Sequence, residues 1–250
     1  MLIIGMKRGT YSALKKKFKK VNKILYFLLH SAQRAVSVHF IVPFSGRPDN
    51  LVRFLKYYKE ELLDKGHEMH LVIVLFITGE DDEGLPFVQE NLERVRTAHP
   101  NREFMLIKVT QDFNRGKGLQ IGANSRSNND LFVFMDVDMI YDENYVRRIR
   151  RNTVQGQRVY YPVFLSEYNP AKVYNTADFP MPDSHFQITE RHGYWRYYSY
   201  GMVAIYKSDF DATGGFDLSI EGWGLEDLRL AGSCLDAKLH VSKITKYQHT

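Results

Sequence analysis

His70–Ile77 is almost wholly apolar and rich in β-branched residues, the pattern of a strand buried on both faces. Leu131–Val137 is a second run of this kind. Val36–Val42 and Phe104–Val109 read as further strands, the first ending at Pro43, which cannot donate to a central ladder. Amphipathic stretches lie between them. Asp49–Lys65 carries Leu51, Phe54, Leu55, Tyr58, Leu62 and Leu63 at helical spacing, with Gly66 as a stop. Leu85–Ala98, a start at Lys117–Ser125, and Asp142–Arg151 read as helices. Met202–Tyr206 reads as a later strand and Leu228–Leu235 as a helix. Strands alternating with helices predict an α/β fold whose mostly parallel central sheet is covered by helices on both sides. In such sheets ligands collect beyond the carboxyl ends of the strands, so that is where polar residues matter.

Composition narrows the class. The chain has 250 residues, room for one large domain or two small ones, and 16 Phe with 16 Tyr rule out low-complexity disorder. A single cysteine, Cys234, rules out a disulfide scaffold. No apolar run reaches the roughly 18 residues of a membrane span. The net charge of +5 is mild, and much of it sits in a leader, residues 1–35, where Lys15, Lys16, Lys17, Lys19 and Lys20 precede Ile24–Leu29. That leader reads as an amphipathic helix packing loosely on the domain or as a wrongly assigned gene start, with a nucleic-acid or anionic-membrane patch, or a degenerate signal, as alternatives. The remainder, 36–250, reads as one domain: a first half to about residue 140 and a second half beyond it. In the second half Pro170, Pro180 and Pro182 interrupt an irregular stretch.

Three segments carry chemistry. Leu131-Phe132-Val133-Phe134-Met135 runs straight into Asp136-Val137-Asp138, and carboxylates two apart on an extended chain address one side. Two such carboxylates repel, so a cation or a donor-rich ligand is expected between them; Mg²⁺ and Mn²⁺ favour such oxygen ligands. The alternative is a capping turn into the next helix. Second, Phe113-Asn114-Arg115-Gly116-Lys117-Gly118 joins a strand to a helix, where free amides, dipole and fixed positive charge make an anion site. It is neither a Walker loop nor G-x-G-x-x-G. Third, Gly214-Gly215-Phe216-Asp217 and Gly222-Trp223-Gly224-Leu225-Glu226-Asp227 set an indole beside two acidic residues. A carboxylate there is a candidate general base, or simply an acidic helix N-terminus. Tyr194-Trp195-Arg196-Tyr197-Tyr198 supplies rings for sugar faces, and Arg196 a partner for a uronate carboxylate; some of these rings are equally readable as core. His185, His192 and His240 show no ligand spacing.

In this order, with Val42-Pro43-Phe44-Ser45-Gly46-Arg47, Tyr161-Pro162-Val163-Phe164 and Tyr168-Asn169-Pro170, the segments resemble the chondroitin N-acetylgalactosaminyltransferase and chondroitin synthase family, related to the β-1,4-galactosyltransferases. The Gly-Trp-Gly-Leu-Glu-Asp form looks closest to the synthase branch. The resemblance implies a GT-A-like, Rossmann-like fold. It implies Mn²⁺-assisted, inverting transfer of N-acetylgalactosamine from UDP-GalNAc to the 4-hydroxyl of a glucuronate-terminated chondroitin-type chain. On that basis Pro43, Phe44, Arg47, Phe113, Arg115, Asp136, Val137 and Asp138 would hold the donor, Asp138 binding the metal. Trp223, Glu226, Trp195 and Arg196 would meet the glycosaminoglycan acceptor, and Asp227 would deprotonate it.

The family's metal-binding histidine falls nearest His249, somewhat closer to Asp227 than the family spacing. His249 therefore reads either as that metal ligand or as an exposed residue at the chain end. With no stalk, anchor or second transferase domain of the family in view, the expectation is a fragment, one cut short at the C-terminus included, or a diverged copy. A Golgi lumen location follows from the resemblance. A second reading is a catalytically weak partner of a chondroitin polymerase that binds glycan or nucleotide sugar. A nucleic-acid binder would leave the acidic motifs unexplained, so no nucleic acid is expected.

Overall fold

The structure is a computed structural model and describes residues 36–79, 84–127, 130–169, 188–220 and 224–244. Its main sheet has seven strands in the order β3-β2-β1-β4-β8-β5-β9. These are β1 Val38–Phe44, β2 Met69–Ile77, β3 Phe104–Thr110, β4 Leu131–Phe134, β5 Arg158–Pro162, β8 Val203–Tyr206 and β9 His240–Ile244. β1, β2, β3 and β4 are mutually parallel, β8 is antiparallel to both β4 and β5, and β5 is parallel to β9. Only β8 runs against the rest. Its first residues therefore lie at the same edge as the carboxyl ends of the other strands. A separate antiparallel pair, β6 Phe164–Glu167 and β7 Gly193–Arg196, stands beside it in sequence.

Helices cover both faces, as the alternation predicts. One face packs α3 (Arg115–Asn124), α5 (Lys207–Ala212) and α6 (Glu226–Asp236) through Leu119, Ala123, Phe210, Leu230, Ala231 and Cys234 onto Ile41, Phe132, Phe134, Val159 and Ile205. The other holds an aromatic cluster in which Phe40 meets Tyr58, Tyr141 and Tyr145 edge-on at 5.5–6.3 Å. These rings come from α1 (Pro48–Tyr57), its π-helical continuation Tyr58–Leu63, and α4 (Glu143–Asn152) with the residues before it. α2 (Gly84–Ala98) buries Val88, Leu92 and Val95. Among the described residues no helix is long and apolar enough to cross a membrane.

Several boundaries differ from the sequence reading. β1 does not stop at Pro43 but runs to Phe44. The Ile41 carbonyl accepts from Met135 N–H at 3.1 Å, so Ile41 turns its backbone polar groups towards β4, and Pro43, two residues on, does the same. Paired β4 ends opposite Ile41, so the N–H that proline lacks has no partner to lose. β4 itself ends at Phe134, short of Val137, because both of its neighbours stop pairing there. Asp136 and Asp138 consequently sit on a turn rather than an extended chain. The Asp49–Lys65 helix finishes as a π turn at Leu63, and Gly66 (φ 78°) ends the run.

Candidate active site

The carboxyl edge of the sheet gathers the acidic segments, and a single arginine joins them. Asn114 caps α3, its Oδ1 accepting from Lys117 N–H at 2.8 Å while its carbonyl accepts from Gly118 N–H at 3.0 Å. The expected anion site at this helix start is thus partly occupied by its own cap. The cap fixes Arg115, whose side chain is only 11% exposed. Its Nε donates to Asp136 Oδ1 at 2.6 Å, Nη1 approaches Glu226 Oε1 at 3.4 Å, and Nη2 donates to the Gly201 carbonyl. Gly201 lies two residues before β8 begins at Val203, at the edge where β4 ends. α3 lies this close because Gly118 and Gly122 face the sheet: a Cβ on Gly118 would stand 2.8 Å from both Pro43 and Phe76.

Burial works against the Arg115 charge, yet Asp136, Glu226 and Asp227 together raise its pKa. Burial raises the Asp136 pKa, with Arg115 pulling it back down and Asp138 and Glu226 adding repulsion. The repulsion between the two aspartates is met by a guanidinium for each, since Arg47 Nη1 lies 3.4 Å from Asp138 Oδ2. That second pair is open to solvent, 66% and 45% exposed, so it holds Asp138 weakly. Val137 points inward, 7% exposed, and offers the site only backbone.

Glu226 and Asp227 open α6. Glu226 is buried, with its Cβ and Cγ each 3.4 Å from where a Cβ on Gly116 would stand. Asp227 Oδ1 accepts from Leu228 N–H at 2.7 Å, and Oδ2 would lie 3.8 Å from a Cβ on Gly201. The turn into α6 is strained: Gly224 has φ 98° and Leu225, a leucine, φ 75°. Gly215 (φ 78°) turns Phe216 into the core, where its N–H donates to Gln120 at 2.9 Å, so this motif shapes the scaffold.

Beside this edge, at the ends of β1, β2 and β3, a cleft of about 530 Å³ is lined by Phe44, Ser45, Phe76, Thr78 and Phe113, among others. Phe113 is half-exposed and stands edge-on to Phe76 at 5.2 Å. Pro43 is buried beneath α3. Trp195 (half-buried) and Arg196 (exposed) lie on β7, paired with Leu165 and Phe164, one residue before the segment that leads to Gly201. Trp223 and His249 lie outside the described residues. Among the described residues no three His, Cys, Asp or Glu side chains converge as a ready-made metal cage. The donor set that is present, Asp138 oxygens only loosely held by Arg47, suits a hard divalent cation completed by phosphate oxygens and water.

Three participants escaped the sequence reading. The Gly201 carbonyl has no side-chain signature. Lys243, on β9, donates to the carbonyls of Tyr197 and Ser199, both at 2.9 Å. Tyr161, in register with Lys243, is buried beside Cys234; burial raises the pKa of its hydroxyl, and Cys234 and then the Asp227 charge push the same way. Its position in Tyr161-Pro162-Val163-Phe164 was the only available signal.

A family model described as chondroitin N-acetylgalactosaminyltransferase matches residues 12–245. Human chondroitin sulfate synthase 3 is 40% identical over 77% of this chain and 22% of its own length. Human chondroitin sulfate N-acetylgalactosaminyltransferase 1 is 35% identical over 90% of this chain and 41% of its own. The chain thus spans less than half the length of either relative. The mannosyltransferase PcManGT from Pyrobaculum calidifontis, solved with GDP-Man and Mn²⁺, superimposes with a TM-score of 0.56 at 14% identity, covering 89% of this chain and 62% of that one. The mostly parallel sheet covered by helices has the GT-A fold, and on the extent of the family match the chain belongs to the chondroitin N-acetylgalactosaminyltransferase family.

Proposed function

We propose that this domain transfers N-acetylgalactosamine from UDP-GalNAc to the 4-hydroxyl of a glucuronate-terminated chondroitin-type chain, with inversion and with a divalent cation, Mn²⁺ by preference. One observation carries the reading: Arg115 ties the Asp136–Asp138 turn to Glu226 and lies beside Asp227, so a cation-binding carboxylate and a candidate base share one edge. The names of the relatives support the donor, and the Mn²⁺ in the mannosyltransferase complex supports the metal.

Each residue then has a task. Phe44 and Phe113 line a cleft of a size that suits a nucleotide base and ribose, and Arg47, between lining residues Gly46 and Pro48, pairs with Asp138. When bound at Asp138, the cation supplies charge neutralisation to the diphosphate leaving group. Arg115 holds Asp136 and Glu226 in place and leaves Asp227 free to accept the proton of the attacking hydroxyl. Trp223, Trp195 and Arg196 are assigned to the acceptor side, and His249 to the metal. A single displacement needs no protein nucleophile. A secretory-pathway, Golgi-type location and association with a synthase-type partner belong to the same reading.

The test is UDP release from UDP-GalNAc with Mn²⁺ and a glucuronate-ended chondroitin oligosaccharide, run beside Asp227→Asn. The variant is expected to lose about 10²–10⁴-fold in turnover while binding UDP as before. Equal turnover by the variant removes Asp227 as the base. UDP binding without transfer by the unmodified chain would instead favour the non-catalytic partner.

A further inference from the structure

We infer that Lys243 is a positioning residue for the acceptor side of the site: its ammonium ties the segment 197–201 to the carboxyl end of β9, so that this segment forms a fixed wall beside Asp227. The inference rests on the transferase reading for its catalytic consequence and on geometry alone for the tether.

Lys243 Nζ donates to the Tyr197 and Ser199 carbonyls at 2.9 Å each and stands 3.5 Å from the centre of the Tyr200 ring. An ammonium has three protons, and here two meet carbonyl oxygens while the charge faces an aromatic surface. The Tyr200 ring in turn stands edge-on to buried Tyr161 at 5.3 Å. The far end of the segment is held by the other cation of the site, Arg115, through the Gly201 carbonyl. Between these anchors the backbone passes Asp227: a Cβ on Gly201 would stand 3.8 Å from Asp227 Oδ2 and 3.9 Å from both Ser199 Oγ and Arg115 Nη2. Two cations, one from β9 and one from α3, therefore fix a short irregular stretch that has no ladder of its own.

The arrangement has a cost that a mere surface lysine would avoid. Burial lowers the Lys243 pKa, and the Asp227 carboxylate only partly restores it. The same stretch presents Tyr197, 50% exposed, and Tyr198, 92% exposed, to solvent. Rings held outward on a pinned backbone offer flat faces to a sugar, and they can do so only while the pin holds.

The experiment compares Lys243→Met, which keeps the stem and removes the charge, with Lys243→Arg, which restores donors and ring stacking. Chymotrypsin cleavage after Tyr197 and Tyr198 is expected to accelerate at least about tenfold in the Met variant, at unchanged UDP affinity, and to return towards the parent rate in the Arg variant. In the transfer assay the Met variant is expected to raise the acceptor KM by a similar factor, leaving the donor KM as it was. Unchanged cleavage in the Met variant overturns the tether. Faster cleavage with an unchanged acceptor KM overturns the acceptor role. UDP affinity lost in parallel with faster cleavage marks general unfolding and likewise overturns the assignment. If the unmodified chain performs no transfer, the functional reading fails on its own, and the cleavage arm still decides the tether.

Discussion

Arg115 Nε and Asp136 Oδ1 lie 2.6 Å apart, and the same guanidinium reaches Glu226 and the Gly201 carbonyl. The turn after β4, the start of α6 and the approach to β8 are remote in sequence, and one planar fork of donors holds them together. Lysine offers a point charge with the wrong shape for this task.

Removing the fork leaves Asp136 and Glu226 without their shared cation. Arg115→Met is expected to lower unfolding stability by about 3 kcal/mol, the usual consequence of leaving buried charge unpaired. Arg115→Lys should recover less than half of that loss. Urea unfolding of the three proteins decides it; a methionine variant as stable as the parent would show that the fork positions groups without stabilising them.

The seat of Arg115 depends on how closely α3 lies on the sheet. A Cβ on Gly122 would collide with the Ile41 side chain and stand 3.3 Å from Val74 Cγ2, whereas one on Gly232, on the outside of α6, meets nothing within 4 Å. Gly122→Ala is expected to cost about 1–3 kcal/mol by forcing the helix off β1 and β2, and to weaken UDP binding. Gly232→Ala should instead gain about 0.5–1 kcal/mol from helix propensity. Opposite signs in thermal melts are the check.

Much of this was legible before the fold was known. Apolar runs marked β1, β2 and β4 because a central strand must be apolar on both faces, whereas β3, at the sheet edge, showed only as a shorter apolar stretch; a charged pair at the end of a central run has nowhere to go but the carboxyl edge. The ends of those strands were not legible. Pro43 is tolerated and β4 stops early because of where neighbouring strands stop, and this is a property of register rather than of local sequence. β5 and β9 escaped notice for a related reason: His240–Ile244 is short, mixed in polarity without a regular period, and pairs in parallel with a strand far away in the chain. Lys243 was one cation among 34, with nothing to mark it until the carbonyls it binds were in place.

Leu225 is an example of strain beside function. Its φ of 75° places a β-carbon where L-residues pay, and its side chain is 61% exposed, so burial returns nothing. Leu225→Gly is expected to stabilise the fold by about 0.5–1 kcal/mol, the left-handed penalty less the entropy cost of glycine. Chemical denaturation measures it. A loss of stability would mean that the leucine side chain packs against a partner supplied by another part of the protein.

At the opposite end of the sheet, buried His39 stacks on His70 at 4.7 Å, with Asp130 Oδ2 at 3.5 Å and the Arg126–Glu103 ion pair alongside. Burial lowers its pKa to about 4; His70 and Arg126 push the same way, and Asp130 and Glu103 oppose them. Between the ordinary value of 6.5 and about 4 the unfolded chain therefore binds a proton that the native chain refuses. Stability should be complete above pH 6.5 and fall as pH drops towards 4, with a slope of up to about 1.4 kcal/mol per pH unit from this group. His39→Gln should flatten that limb without altering stability at pH 8 by a comparable amount. An equally steep acid limb in the variant would assign the effect to other groups.

Asp138 differs from Asp136 in being held by one exposed contact to Arg47 rather than by a buried fork. If it is the cation ligand, the stabilisation conferred by UDP divides into a part that needs metal and a part that does not. With UDP and Mn²⁺ well above their dissociation constants, linkage predicts about 2–3 kcal/mol of added stability, a rise of several degrees in melting temperature. Chelation of the metal should remove most of this rise from the parent. Asp138→Asn should behave with Mn²⁺ as the parent does without it, because an amide oxygen retains the shape but not the charge that draws a hard cation. Arg47→Ala, which frees Asp138 and removes one positive charge nearby, should keep the metal-dependent rise. If Asp138→Asn retained the full increment with Mn²⁺, the cation would have to be held elsewhere, and the division of labour between the two aspartates would be reversed.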